Sequence, residues 1–195
     1  MKKNRNKYII IAIAVLLVLW GVSLYNGLIN LEESVDAQWA NVETVYQRRA
    51  DLIPNLVSTV KGYADFEQET LTQVIEARSN ATSVNVDASN LTPEAIANFQ
   101  AAQGELSSAL SRLLVTVERY PELKANQNFL ELQAQLEGTE NRISVERRKF
   151  NLQARDFNTA IRRIPRNFIA GIAGMEKKGY FESSEGAVTA PEVSF

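Results

Sequence analysis

The fold is set by residues 129–164, FLELQAQLEGTENRISVERRKFNLQARDFNTAIRRI. One apolar position recurs there at every seventh residue, occupied by Phe129, Leu136, Ile143, Phe150, Phe157 and Ile164. A seven-residue apolar repeat is typical of a helix that packs along its whole length against other helices. Prolines bound the stretch at positions 121 and 165, so we predict one long helix at about residues 122–164.

The second line of the same helix face is mostly polar. Its members are Asn126, Gln133, Glu140, Arg147, Ala154 and Ile161. Polar groups at packing positions reduce stability, but they fix the register of the helices and the choice of partner. We therefore expect a polar network inside the bundle.

Two more long helices precede this one. Apolar residues follow each other in steps of three and four from Leu28 to Val74, which predicts a helix at about 28–78. The polar stretch 79–91 is predicted to be a loop. Thr92-Pro93-Glu94 is a typical helix start, and Pro121 ends the helix, which gives a helix at about 93–119.

The expected fold class is all-α, with an elongated antiparallel bundle of three long helices over 28–175. The loop is expected to descend beside the first helix, so that the second helix ends at the base of the bundle and the third climbs away from it. A short fourth helix is predicted at 166–175 and an extended tail at 176–195. Phe168, Ile172 and Phe181 either cover the distal end of the core or form an exposed apolar docking strip.

The N-terminus has the composition of a membrane anchor. Residues 1–7 are basic, and the following stretch 8–25 is apolar except for Ser23. A transmembrane helix needs roughly 17–25 such residues. Two other interpretations stay open: a cleaved signal peptide with its cleavage site at Gly21-Val22-Ser23, and a buried helix of the soluble fold.

Charge predicts the orientation of this anchor. Lys2, Lys3, Arg5 and Lys7 precede the span, whereas the first basic residue after it is Arg48. Since positive residues stay on the cytoplasmic side, the N-terminus should be cytoplasmic and the bundle extracytoplasmic.

Composition excludes several classes of function. The chain of 195 residues has a net charge of −2, so nucleic acid is not an expected partner. It has no cysteine and no histidine, which removes thiolate nucleophiles, the usual general base and the usual transition-metal ligands. We expect no cofactor and no enzymatic activity, although a pair of carboxylates could still support glycosidase-like chemistry.

One arginine stands at an apolar packing position. Arg49 follows Val42 by seven residues and precedes Leu56 by seven. A buried guanidinium needs a carboxylate partner. We predict an Arg49–Glu140 contact, with charged groups less than about 6 Å apart.

Several blocks resemble the LemA family. They are Arg48-Arg49-x-Asp51-Leu52-Ile53-Pro54-Asn55-Leu56-Val57 with Val60 to Ala64, Tyr120 to Asn126, Leu136 to Ile143, Arg147-Arg148-x-Phe150-Asn151, Pro165 with Asn167, and Pro191 to Phe195. The resemblance covers nearly the whole chain. One departure is Phe150, where the family usually carries tyrosine.

The resemblance implies a membrane-anchored bacterial protein with a helical bundle and no established catalytic role. We expect a non-enzymatic scaffold or adaptor of the cell envelope, with a protein partner in the envelope. Association with a second copy of the chain stays open. The alternative is a sensor that binds an anion or a peptide. The residues proposed for a structural or partner-binding network are Arg48, Arg49, Asp51, Asn55, Lys61, Asn126, Glu140, Asn141, Arg142 and Arg147.

Overall fold

The described residues of this computed structural model, 2–62 and 67–182, form helices and connecting segments without a strand. The helices are α1 (Lys2–Lys61), α2 (Gln68–Ser83), α3 (Pro93–Val117), α4 (Pro121–Lys124), α5 (Gln127–Ala160) and α6 (Arg166–Ile172), and a 3-10 turn covers Ala88–Asn90. The predicted all-α class, with a long apolar N-terminal helix and a helical bundle, is confirmed. Of the three long helices of the prediction, the first corresponds to α1 and α2, the second to α3, and the third to α4 and α5.

The helix predicted at 28–78 is two helices. Helix α1 ends at Lys61, Gly62 lies in a turn, and α2 begins after the extended residue Glu67. The apolar period did not reveal the break, because Val60 of α1 and Leu71 of α2 are buried in the same cluster. Helix α2 also extends to Ser83, into the stretch predicted to be a loop.

The break reverses the expected course of the chain. Arg78 of α2 donates to the carbonyl of Ala50 at 2.8 Å, so α2 already returns along α1. Helix α3 then runs away from the N-terminal side, and α5 returns antiparallel to α1, with Ala160 packed beside Leu28. The predicted order, in which the third helix climbs away from the base, is wrong because α2 makes the return that we assigned to a loop.

The last two helical boundaries also differ from the prediction. The helix predicted at 122–164 is interrupted at Ala125, so α4 and α5 are separate, and α5 ends at Ala160. The Asn126 side chain accepts a hydrogen bond from the Phe129 amide at 3.1 Å. Asn126 is thus the N-cap of α5, where a short polar side chain stabilises a helix start.

The core changes character along the bundle. Its distal half, far from the N-terminus, is aliphatic and centres on Leu56, Val60 and Leu113. The half nearer the N-terminus is aromatic: the Trp39 ring lies 5.2 Å from that of Phe99 and 5.6 Å from that of Phe150. The Trp39 indole donates to the Val86 carbonyl at 3.2 Å, which satisfies its only polar atom.

Residues 176–182 lie against the bundle instead of forming a free tail. We call them the C-terminal strap. Phe181 is buried in the aromatic cluster, whereas Phe168 and Ile172 are exposed, so the three do not cover a common end of the core. They lie toward the base, because α6 packs beside Leu28. The predicted helix 166–175 ends at Ile172, and the remainder of the tail, 183–195, lies outside the described residues.

The apolar part of α1 does not enter the bundle. Nearly all large apolar side chains from Tyr8 to Tyr25 are exposed, and an 18-residue window of α1 is long and apolar enough to cross a membrane, with none of it buried. The interpretation of residues 8–25 as a buried helix of the soluble fold is therefore wrong.

Candidate functional site

Arg49 occupies the centre of the bundle. Helix α1 directs it inward from an apolar packing position, and its side chain is 1% exposed. The predicted contact is present, since Nη1 donates to Glu140 Oε1 at 2.7 Å. The same nitrogen donates to Ser107 Oγ at 2.8 Å. A buried guanidinium is thus matched by one carboxylate and by neutral acceptors.

Gln103 extends this network to a fourth helix. Arg49 Nη2 donates to both the side-chain and the backbone oxygen of Gln103. The Gln103 amide then donates to the Ala81 carbonyl at 3.0 Å. The network therefore joins α1, α2, α3 and α5 at one level of the bundle, and it fixes their register.

A cleft opens beside this network. It has a volume of about 330 Å³ and is lined by residues of α1, α3 and α5, among them Tyr46, Arg49, Gln103, Glu140 and Arg147. Arg49 Nε is buried and has no hydrogen-bond partner among the described residues. Burial raises the pKa of the Tyr46 hydroxyl, although Arg147 and Arg49 oppose that rise.

A second cleft of about 450 Å³ continues along the same side toward the distal end. It shares Ser107 and Glu140 with the first, and it includes Leu110, Leu136 and Asn141. We call the two together the α3–α5 cleft. The apolar side chains lie in its floor and the polar ones at its rim, which is the usual arrangement of a protein-binding groove.

Toward the base, the C-terminal strap lies in the groove between α3 and α5, in line with the α3–α5 cleft. Three amide side chains hold its backbone at both a donor and an acceptor. Asn158 pairs with Lys178, Asn151 with Phe181 and Gln100 with Glu182, at distances from 2.8 to 3.1 Å. The strap is thus recognised mainly through its main chain, as an added peptide would be.

Side chains of the strap secure it further. Lys178 is buried and pairs with Glu32 at 2.8 Å, and the Phe181 ring lies under Arg147. Burial raises the pKa of the nearby Asp36, while Lys178 lowers it. A Cβ on Gly179 would come within 2.9 Å of Pro93 Cα and of the Thr92 carbonyl oxygen, so only glycine fits there without a shift.

The structure brings together only part of the predicted network. Arg49, Glu140 and Arg147 line one cleft, and Asn141 lies at the rim of the adjoining one. The other members do not join them: Arg48, Asp51, Asn55, Lys61 and Arg142 are exposed, and Asn126 is a helix cap. A seven-residue period assigns a face to a residue, and several of these residues fall on outward faces.

Sequence reasoning missed the amides that hold the strap. Asn151 and Asn158 follow Phe150 and Phe157 directly, so the pair Phe-Asn repeats after seven residues. The apolar residue of each pair is buried in the core, and the next position faces the strap. That repeat was the available signal. Gln103, Ser107 and Gln100 had none, because each lies on α3 among small and polar residues.

The LemA family profile matches residues 38–195, which include both the α3–α5 cleft and the strap. The chain belongs to the LemA family. It is 27% identical to the magnetosome protein MamQ of Magnetospirillum gryphiswaldense over 176 residues, which cover 80% of this chain and 64% of the relative. It is 24% identical over 160 residues to the protein LemA of Metamycoplasma hominis, covering 82% of this chain and 69% of that protein.

A similar match of 26% identity over 179 residues, covering 81% of this chain, joins it to MamQ 2 of Paramagnetospirillum magneticum. The chain spans 64% of the length of the MamQ relatives that it matches.

In the part of this LemA-family chain that the structure describes, no three acidic side chains converge on a position that could hold a metal ion. The polar side chains at the cleft offer hydrogen bonds and ion pairs to a bound molecule.

Proposed function

We propose that this LemA-family protein is a non-enzymatic scaffold or adaptor of the bacterial cell envelope, held to the membrane by one N-terminal helix. The α3–α5 cleft is its docking surface for a protein partner. The observation that carries the proposal is the position of this cleft. It continues the line of the strap, and it combines a floor containing Leu110 and Leu136 with a polar rim.

The anchor supports a role at a membrane. Apolar residues of α1 from Tyr8 to Tyr25 are exposed in the described structure, and a bilayer would cover them. The basic residues before the span favour a cytoplasmic N-terminus and a bundle outside the cytoplasm. The MamQ relatives are named as magnetosome proteins. A bundle on a membrane anchor suits the attachment of proteins at a membrane surface.

The groups at the cleft favour binding over catalysis. The chain lacks the side chains that most often act as general base or thiolate nucleophile. Glu140 at the cleft is already engaged in an ion pair with Arg49, at 2.7 Å. A carboxylate and a guanidinium held in one ion pair are suited to positioning a partner.

Site-specific photocrosslinking tests the docking surface. A photoreactive amino acid at Asn141 lies on the cleft rim, and one at Arg142 is exposed outside the cleft on the same helix. We expect the Asn141 probe in intact cells to crosslink to a discrete protein, and the adjacent Arg142 control not to do so. Equal crosslinking at both positions, or at neither, would contradict the proposal.

Cysteine labelling tests the orientation. The chain has no cysteine, so Val115→Cys in the bundle and Asn6→Cys before the span each give one thiol. A membrane-impermeant maleimide should label position 115 in intact cells and position 6 only after permeabilisation. The opposite pattern would place the bundle in the cytoplasm.

A second candidate is binding of an anion in the same cleft. Arg147 favours it, because this half-buried cation lines the cleft and a guanidinium is suited to binding an anion. Calorimetric titration with inorganic phosphate or with an acidic peptide would show saturable heat that Arg147→Gln removes. If no heat appears with either, the anion candidate is eliminated.

A further inference from the structure

We propose that the base of the bundle is itself a membrane-binding surface that rests on anionic lipid headgroups. This surface, which we call the basal patch, consists of Ile164, Phe168 and Ile172 together with Arg162, Arg163 and Arg166. The inference rests on the proposed membrane anchor and adds a second point of attachment to it.

The apolar half of the basal patch is exposed. The exposed fractions are 79% for Ile164, 65% for Phe168 and 90% for Ile172. On its other face, α6 buries Ala170 against Leu28 of α1, so the helix is fixed in place with its large apolar side chains outward. Three such residues on one short segment are typical of a surface that another phase or molecule covers.

The position of the basal patch in the fold indicates that a lipid bilayer covers it. The guanidinium of Arg166 lies 3.5 Å from the position of a Cβ on Gly27. Gly27 follows Tyr25, the end of the apolar stretch, by two residues, which is about 3 Å along a helix axis. Because α5 runs antiparallel to α1, its C-terminal turn and α6 arrive at the level where the span leaves the bilayer.

Charge fits the headgroup layer. Arg162 and Arg163 are exposed beside the apolar residues. Of the acidic residues at this end, Glu32 is paired with Lys178. Glu33 lies about 9 Å further from the membrane than Gly27 along α1, and Glu176 is exposed beyond α6. Segments that combine arginine with phenylalanine and isoleucine bind at the interface of membranes that contain anionic lipids.

A bilayer is favoured over a protein as the occupant, because α6, which carries part of the basal patch, packs through Ala170 against Leu28 of α1, directly after the span. Wherever α1 crosses the membrane, the patch is brought to its surface without a further binding partner. Attachment at two points would hold the bundle at a fixed height and rotation, and it would set the direction in which the α3–α5 cleft faces.

Fluorescence quenching in vesicles tests the proposal with the full chain. Ile172→Cys carries a polarity-sensitive fluorophore, and Val115→Cys is the matched control, since Val115 is 71% exposed at the distal end of α3. Val18→Cys, in the apolar stretch, reports separately on the anchor. Each labelled protein is inserted into vesicles of phosphatidylcholine and phosphatidylglycerol that contain lipids with a nitroxide high on the acyl chain.

We expect blue-shifted, strongly quenched emission at positions 172 and 18, and little quenching at 115. Quenching at 18 without quenching at 172 would overturn the basal patch and leave the anchor intact. No quenching at either position would overturn the anchor and this inference together. Emission at 172 that depends on protein concentration, without nitroxide quenching, would assign the patch to a second copy of the chain and overturn the lipid assignment.

The ionic half has its own test. Replacing Arg162 and Arg163 by glutamine should lower the quenching at 172 in phosphatidylglycerol vesicles several-fold, toward the value in phosphatidylcholine alone. Quenching of the fluorophore at position 18 should be unaffected. Equal quenching at 172 with and without phosphatidylglycerol would overturn the role of the arginines.

Discussion

The two halves of the groove between α3 and α5 differ in what fills them. Near the base, the strap lies in the groove, and Phe181 closes the aromatic core. Toward the distal end, Arg49 and Glu140 lie at a cleft that remains open to solvent. The chain therefore covers one half with its own main chain and leaves the other open to solvent.

This difference shows two ways to accommodate polar groups inside a bundle. In the half near the base, the side-chain amides of Asn151 and Asn158 on α5 are satisfied by backbone groups of the strap, which holds the strap in place. The Arg49 network is satisfied mainly by side chains and borders water. Four tests would sharpen or break the comparison.

The largest effect is expected for Phe181→Ala. Phe181 is buried against Trp39 and Phe150, and loss of such a ring costs about 3–5 kcal/mol. Urea unfolding in mild detergent, followed by circular dichroism, measures the change in the free energy of unfolding. Phe168→Ala is the control, because its ring is exposed, and it should change that free energy by less than about 0.5 kcal/mol.

Glu140→Ala should follow, with a loss of about 1–3 kcal/mol, because it leaves the guanidinium of Arg49 buried without its carboxylate. The side chain of Glu140 is 45% exposed, so water partly replaces it. Arg49→Met should cost less, since it removes the buried charge and leaves Glu140 free to be hydrated. If Arg49→Met lowers the free energy of unfolding more than Glu140→Ala in the same urea assay, Arg49 contributes to stability mainly through its packing and its hydrogen bonds to α3, and less through its charge.

Two glycine substitutions should act in opposite directions. Gly179→Ala places a methyl group 2.9 Å from the backbone of α3 and should cost about 1–3 kcal/mol. Gly138→Ala meets nothing within 4 Å inside α5 and should stabilise the protein by about 0.5–1 kcal/mol. Thermal unfolding of both variants checks this: a Gly179→Ala variant with an unchanged unfolding temperature, beside a stabilised Gly138→Ala variant, would show that the strap is not tightly seated.

The smallest effect concerns Glu146. Hydrogen bonds from Lys149 and Gln38 lower the pKa of its carboxyl below the ordinary value of 4.5. Its stabilisation is therefore fully present above pH 4.5 and is lost as the pH falls through the lowered value. Glu146→Gln should reduce stability at neutral pH by at most about 0.5 kcal/mol, since solvent screens the pair, and the difference from the unsubstituted protein should vanish in acid. Urea titrations of both proteins at neutral pH and in acid measure this difference in the free energy of unfolding. A difference that persists in acid would contradict the assignment.

Part of the site could be predicted from single positions. The burial of Arg49 followed from its seven-residue spacing to Val42 and Leu56, and its partner followed from the requirement of a buried charge for an opposite one. The strap could not be predicted in this way. Its side of the amide contacts is backbone, which has no sequence signature. The Phe-Asn repeat marks Asn151 and Asn158, but it does not show which segment they hold, and Gln100 has no such mark.

By itself, the sequence determined the all-α class, the apolar N-terminal stretch, the helix starts at Thr92 and near Pro121, and the Arg49–Glu140 pair. These depend on local propensity and on the period of apolar residues along one helix. Tertiary structure decided the break after Lys61, the return of α2, the course of α5 toward the base and the seating of the strap. Both α1 and α2 bury their apolar faces in one core, so the period continues across the break, and only the packing of the helices in space shows where the chain turns.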